Sequence, residues 1–233
     1  IVCSGVGKTS EEINYAINKK ILLINAESKS EIIEIAKIAK SKNKTVNIGI
    51  RLNPNTDANT LSQISTGKKE NKFGVDQKTF LELVKYSNNS RYVNLKCLSV
   101  HIGSQIVDHK PYLKMLKVVN RIINKSNHQF EFIDLGGGMG ISHEKNNKKL
   151  DYKKYKVAIE KFLKNHKSKI IFEPGRSIIG NVGILISKVI YIKENKNKNF
   201  IIIDAAMNDL IRPALYGAKH QIIPVLKNNK NSK

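Results

Sequence analysis

Two kinds of segment alternate along this chain. Short runs rich in Ile and Val recur along it, each followed by a polar stretch carrying apolar residues at helical spacing. Residues 21–26 read as a strand. Ser28 then stands as an N-cap with Glu31 three residues on, opening a helix whose apolar face is Ile32, Ile35, Ala36 and Ala39. Residues 45–52 are the next strand. After a long polar excursion, Asp76 begins a helix through Phe80, Leu81 and Val84 that ends near Asn88. The spacing then predicts a strand over 92–102, a helix over 112–123, a strand over 130–135, a helix over 152–163 and a strand over 169–172. Near-continuous apolar strands separated by helices imply an α/β fold with a parallel sheet buried under them. Past Pro174 the rhythm changes. Residues 178–193 and 200–204 are strand-like with no helix between, so a second, β-rich unit is expected over 180–233, after an α/β portion over 1–179.

Residues suited to chemistry fall where the predicted strands end. His101, Gly103 and Ser104 follow one strand, Gly136 to Gly138 the next, and Glu173 to Arg176 the one after, about 35 residues apart. One βα unit separates each pair of clusters. A (β/α)8 barrel gathers its active site at the C-terminal strand ends, with phosphate held by the last strands. A doubly wound open sheet would give the same alternation.

Composition narrows the function classes. With 233 residues and 40% hydrophobic content the chain can build a core, and no apolar run reaches the ~18 residues of a membrane span. The net charge of +22 suggests a polyanion partner. Arginine, however, occurs only at Arg51, Arg91, Arg121, Arg176 and Arg212, aromatics make up 6%, and Trp is absent. The excess is lysine interleaved with asparagine, the pattern of a solvated surface rather than of a nucleic-acid interface built on Arg forks and stacked rings. Cys3 and Cys97 provide neither a disulfide framework nor metal-ligand spacing, and nothing at the start resembles a signal peptide. A cytoplasmic location is expected, with no nucleic acid, membrane or metal as partner.

Four motifs carry the chemical signal. The glycines Gly136, Gly137 and Gly138 after an apolar strand suit a turn that cradles a phosphate with backbone N–H groups, or a turn that only needs positive φ. Glu173 and Arg176 flank Pro174 and Gly175. They could brace the loop as an ion pair, or they could hold a proton on a heterocyclic nitrogen and receive an anionic group. His101 ends a strand, where a structural histidine is common, but Gly103 and Ser104 beside it favour a site. Arg212 precedes Pro213, and one helical turn there would align Arg212 with Tyr216. The early segment GVGKT lacks the leading glycine of a phosphate-binding P-loop, so Lys8 is not nominated.

Taken in order, residues 51–75 (RLNPNTDANTLSQISTGKKENKFGV), HIGSQI, DLGGGMGI, EPGRSIIG and MNDLIRPALYGAKH resemble the diaminopimelate decarboxylases. These are a branch of the alanine-racemase-like, pyridoxal-phosphate-dependent decarboxylases, alongside ornithine and arginine decarboxylases. The resemblance implies a pyridoxal-phosphate-binding (β/α)8 TIM barrel, incomplete at its N-terminal side, followed by part of a β-rich domain in a homodimer with shared active sites. It implies that His101 stacks on the cofactor ring and that Gly136, Gly137 and Gly138 bind its phosphate with Ser104 nearby. Glu173 would pair with the pyridine nitrogen in the loop Glu173, Pro174, Gly175, Arg176. Arg176, Arg212 and Tyr216 would grip a distal carboxylate of meso-diaminopimelate. The expected reaction is decarboxylation to L-lysine, the last step of lysine biosynthesis. A sister enzyme acting on ornithine, arginine or carboxynorspermidine, or an inactive paralogue, is the alternative. No lysine here matches the family's Schiff-base lysine, so the chain by itself is expected to be inactive.

Overall fold

The structure, a computed structural model, describes residues 1–58, 66–67, 71–142 and 149–226. The middle of the 51–75 motif, at 59–65 and 68–70, and the basic tail at 227–233 lie outside the described residues. Contacts divide the chain into two units, residues 1–141 with 149–178, and residues 142–148 with 179–233.

The first unit follows the alternation. Its elements are β1 (Val2–Cys3), α1 (Ser10–Asn18), β2 (Leu23–Ala26), α2 (Lys29–Ser41), β3 (Val46–Leu52), α3 (Gln77–Asn88), β4 (Val93–Val100), α4 (Lys110–Ser126), β5 (Phe132–Asp134), α5 (Tyr152–Leu163) and β6 (Lys169–Ile171). The six strands are parallel and pair in sequence order, β1 beside β2 through to β5 beside β6. A doubly wound sheet reverses its order at a switch point. The unbroken order therefore decides between the two architectures, and the unit is an arc of a (β/α) barrel.

Local chemistry sets the helix starts. Ser28 and Asp76 cap α2 and α3 as their spacing predicts, accepting from the amides of Glu31 and of Lys78 and Thr79. The strand β1 and the helix α1 were not read from the sequence. Thr9 opens α1 with a complete capping box, its side chain accepting from Glu12 N–H while Glu12 accepts from Thr9 N–H. Between sheet and helices lies one core, in which Ile32 and Ile35 of α2, Phe80 of α3, and Tyr112 and Met115 of α4 are fully covered.

The second unit contains a hairpin of β7 (Val189–Asn195) and β8 (Lys198–Ile203), paired antiparallel from Val189 opposite Ile203 to Asn195 opposite Lys198. The expected strand over 178–193 is thus corrected. Residues 176–179 form a short helix, α6 (Arg176–Ile179), and the strand begins only at Val189. Gly180 and Gly183 weaken extended pairing in between. A last helix, α7 (Arg212–Tyr216), has Pro213 in its first turn and Gly217 at φ 58° closing it.

Candidate active site

All three strand-end clusters of the first unit lie within hydrogen-bonding reach of one another. Gly137 donates its N–H to Nδ1 of His101 at 3.2 Å, and Glu173 N–H donates to the carbonyl of Gly136 at 2.8 Å. The loops after β4, β5 and β6 are therefore joined through the glycine turn. A Cβ added at Gly137 would stand 2.2 Å from the Glu173 carbonyl oxygen, and one at Gly138 would stand 2.1 Å from the Gly103 carbonyl oxygen. Gly136 and Gly138 also hold φ values of 64° and 85°, which side-chain-bearing residues rarely adopt. The turn thus needs positive φ, and it also needs residues without Cβ so that the carbonyls of Glu173 and Gly103 can approach its backbone.

The amides of this turn are differently engaged. Gly136 donates to Oδ1 of Asp134 at 2.9 Å and Gly137 to His101. Gly138 N–H takes no partner among the described residues. An unsatisfied amide in a left-handed glycine turn, at the C-terminal end of parallel strands, suits a phosphate oxygen. Ser104 follows Gly103 on the neighbouring loop and is half-buried.

His101 sits in a setting that keeps it neutral. Burial, followed by the positive charge of Arg51, lowers its pKa to about 4. Nδ1 accepts from Gly137, so the proton of the neutral ring is assigned to Nε2. The Arg51 guanidinium is held by Glu27 at 2.8 Å and lies 5.0 Å over the Phe73 ring, while Glu27 also accepts from Gly74 N–H at 2.9 Å. Arg51 and Glu27 are both buried. Neither was picked from the sequence, although both stand at strand ends, which is the signal that could have found them.

Glu173 accepts at Oε1 from the Ser4 hydroxyl at 2.7 Å. Beneath it, Asp134 on β5 is fully buried and accepts from Asn25 Nδ2 at 2.8 Å and from Ser99 Oγ at 3.2 Å. Burial, and then the charge of Glu173, push Asp134 up to about 6. Arg176 donates to Oε1 of Gln105 at 3.0 Å, and Gln105 donates to the Ile141 carbonyl at 2.5 Å, which ties the loops after β4 and β6 together. Pro174 and Gly175 form the bend between Glu173 and Arg176, and a Cβ at Gly175 would meet nothing within 4 Å.

In the second unit, the Arg212 guanidinium lies 5.5 Å over the Tyr216 ring, the alignment expected from one helical turn. Lys8, the lysine of GVGKT, is buried against Glu31 at 2.7 Å and donates to the carbonyl of Asn25 at 2.8 Å, so its charge is satisfied inside the fold. No group of three or more His, Cys, Asp or Glu side chains is arranged for a metal among the described residues, and no helix among them is long and apolar enough to cross a membrane.

Comparison with known proteins gives the same reading. The diaminopimelate decarboxylase of Aquifex aeolicus is 40% identical over 228 residues, covering 97% of this chain and 54% of that protein. The Helicobacter pylori enzyme of the same name is 43% identical, over 95% of this chain and 55% of its own. The chain thus spans about half the length of these curated relatives. Among solved structures, Helicobacter pylori diaminopimelate decarboxylase complexed with L-lysine superposes with a TM-score of 0.92 at 41% identity, over 98% of this chain and 58% of that one. The enzyme from M. jannaschii in co-complex with L-lysine gives 0.85 at 37%, over 95% and 53%. Residues 1–180 match the family described as "Pyridoxal-dependent decarboxylase, pyridoxal binding domain". Because that match covers more than three quarters of the chain and spans the parallel arc and the loops after β4, β5 and β6, the chain belongs to the pyridoxal-dependent decarboxylase family.

Proposed function

We propose that this chain belongs to an enzyme that removes CO2 from meso-2,6-diaminopimelate to give L-lysine, using pyridoxal 5'-phosphate. The observation that carries the proposal is the joining of His101, the 136–138 turn and Glu173 at one set of strand ends. It is supported by relatives named for that activity and by related structures described as binding L-lysine.

When bound, pyridoxal phosphate supplies a conjugated, protonated ring that delocalises the carbanion left by CO2 loss. The residues here suit its parts. Gly138 N–H and Ser104 would take phosphate oxygens, and the missing side chains at Gly136, Gly137 and Gly138 let the neighbouring loops pack tightly around the turn that presents that amide. The neutral His101 ring, fixed through Nδ1, would lie against the cofactor face. Glu173, acidic and hydrogen-bonded by Ser4, would keep a proton on the ring nitrogen by charge pairing. Arg176, braced by Gln105, orders the loop of Pro174 and Gly175. In the second unit, Arg212 and Tyr216 would read the substrate's second carboxylate, selecting a diacid over ornithine because ornithine brings no anion to the Arg212 guanidinium.

In the same reading, residues 180–233 begin a β-rich domain after a barrel portion at 1–179. The enzyme is a cytoplasmic homodimer whose active sites are shared, and the reacting lysine comes from sequence outside this chain. The test is Arg212→Ala in the full-length protein. It should raise the KM for diaminopimelate by about tenfold or more while leaving the absorbance of bound pyridoxal phosphate intact. Loss of the cofactor instead would refute the substrate-binding role.

A further inference from the structure

Asn25, like Asp134, is a polar side chain near the site with no solvent exposure. It stands on β2, and the space it needs exists because β3 carries glycine beside it. A Cβ at Gly49 would lie 2.0 Å from Asn25 Oδ1. Its amide nitrogen donates twice, to Ser4 Oγ at 3.0 Å and to Asp134 Oδ2 at 2.8 Å. An amide nitrogen has no acceptor capacity, so the direction of both bonds is fixed. Ser4 Oγ therefore accepts from Asn25 and turns its own proton outward, to Oε1 of Glu173 at 2.7 Å. Asp134, receiving the other amide hydrogen, uses its second oxygen to hold Gly136 N–H. Asn25 thus connects the two chemically distinct ends of the site, the acid at Glu173 and the glycine turn.

We propose that Asn25 and Ser4 are positioning residues for Glu173: the fixed run of donors from the Asn25 amide through the Ser4 hydroxyl delivers a proton donor to Oε1, which holds Glu173 as an oriented carboxylate. The inference rests on the proposed role of Glu173 and extends it to the far side of the sheet, from β6 to β1 and β2. A hydroxyl that donates to one carboxylate oxygen fixes the orientation of the group and leaves its other oxygen to accept. The second Glu173 oxygen would then be the one to accept from a protonated ring nitrogen of the cofactor.

The test uses the full-length holoenzyme with Ser4→Ala, Ser4→Thr and Glu173→Gln. Removing a hydrogen bond to a charged group should lower kcat by about tenfold in Ser4→Ala. The KM should stay within about twofold, because ground-state substrate binding is untouched. The absorption band of bound pyridoxal phosphate, which reports the protonation of its ring, should shift, and the thermal midpoint should stay within about 2 °C. Ser4→Thr keeps the hydroxyl and should restore both kcat and spectrum. Unchanged kcat and spectrum in Ser4→Ala would overturn the inference, as would a loss of kcat that merely follows a loss of thermal stability. If Glu173→Gln is inactive while Ser4→Ala is fully active, only the positioning role fails. If Glu173→Gln itself retains activity, the underlying reading of the site fails.

Discussion

Gly137 and His101 lie 36 positions apart in the chain, yet the amide of one is bound to Nδ1 of the other at 3.2 Å. This bond requires an unprotonated Nδ1, and the low pKa of His101, about 4 against an ordinary 6.5, accords with it. In the unfolded chain the histidine binds a proton near pH 6.5, whereas the folded protein resists protonation until about pH 4. Between those values the unfolded state holds more protons, so stability falls as the pH drops, by up to about 3 kcal/mol from this residue. Thermal midpoints at pH 7.5 and 4.5 should fall further in the wild type than in His101→Gln, which keeps an acceptor for Gly137 without titrating. Equal falls would contradict the assignment.

Asp134 works in the opposite direction. Its folded pKa of about 6 lies above the ordinary 3.8, so the folded state holds the extra proton in that window and stability declines as the pH rises through it. Asn at this position escapes the cost of a buried charge beside Glu173. Relative to wild type, Asp134→Asn should therefore be more stable at pH 8 than at pH 5, by about 1.4 kcal/mol. Chemical denaturation at the two pH values measures this, and a difference of the other sign would exclude it.

The glycine turn separates two kinds of glycine. Gly137→Ala and Gly138→Ala would each drive a methyl into a carbonyl oxygen and should destabilise by about 1–3 kcal/mol while weakening pyridoxal-phosphate binding. Gly175→Ala, with nothing within 4 Å, should stay within about 0.5 kcal/mol of wild type. Cofactor titration and thermal melts of the three variants would check the ranking.

What was legible in the sequence followed from periodicity and local chemistry. Ser28 with Glu31, Asp76, and the helix over 152–163 are all decided within a few residues, and the structure has them where the pattern places them. The helix α1 carried an equally local signal, the capping box of Thr9 and Glu12, but its strand partner β1 is only two residues long and offers no period to read. Gly180 and Gly183 explain why an apolar run became a turn before β7. The polar network under the site was not legible. Asn25 and Asp134 are 109 positions apart, and only the assembly of β2 and β5 into one sheet brings an amide to a carboxylate. The candidate residues His101, Gly136 to Gly138 and Glu173 were visible because strand ends in parallel α/β folds collect chemistry, whereas their supports on β1, β2 and β3 look like ordinary strand residues.

Glu27 and Arg51 form the other hidden support. Glu27→Ala would leave the buried Arg51 guanidinium beside His101 without its counter-charge and would remove the acceptor for Gly74 N–H. A loss of about 3–5 kcal/mol is expected. The exposed pair Lys156 and Glu160, 3.6 Å apart on α5, should contribute about 1 kcal/mol at most, so Glu160→Ala serves as the control. Urea denaturation of both variants gives the comparison, and similar losses would show that Arg51 needs no partner.

Substrate choice is decided by CO2 release from the full-length protein with pyridoxal phosphate, measured from meso-diaminopimelate and from ornithine in parallel. Decarboxylation of the diacid is expected with a kcat/KM at least about a hundredfold above that for ornithine, since ornithine carries no second carboxylate for Arg212. A comparable or higher kcat/KM for ornithine, or no decarboxylation of diaminopimelate by cofactor-loaded enzyme, would contradict the proposed function.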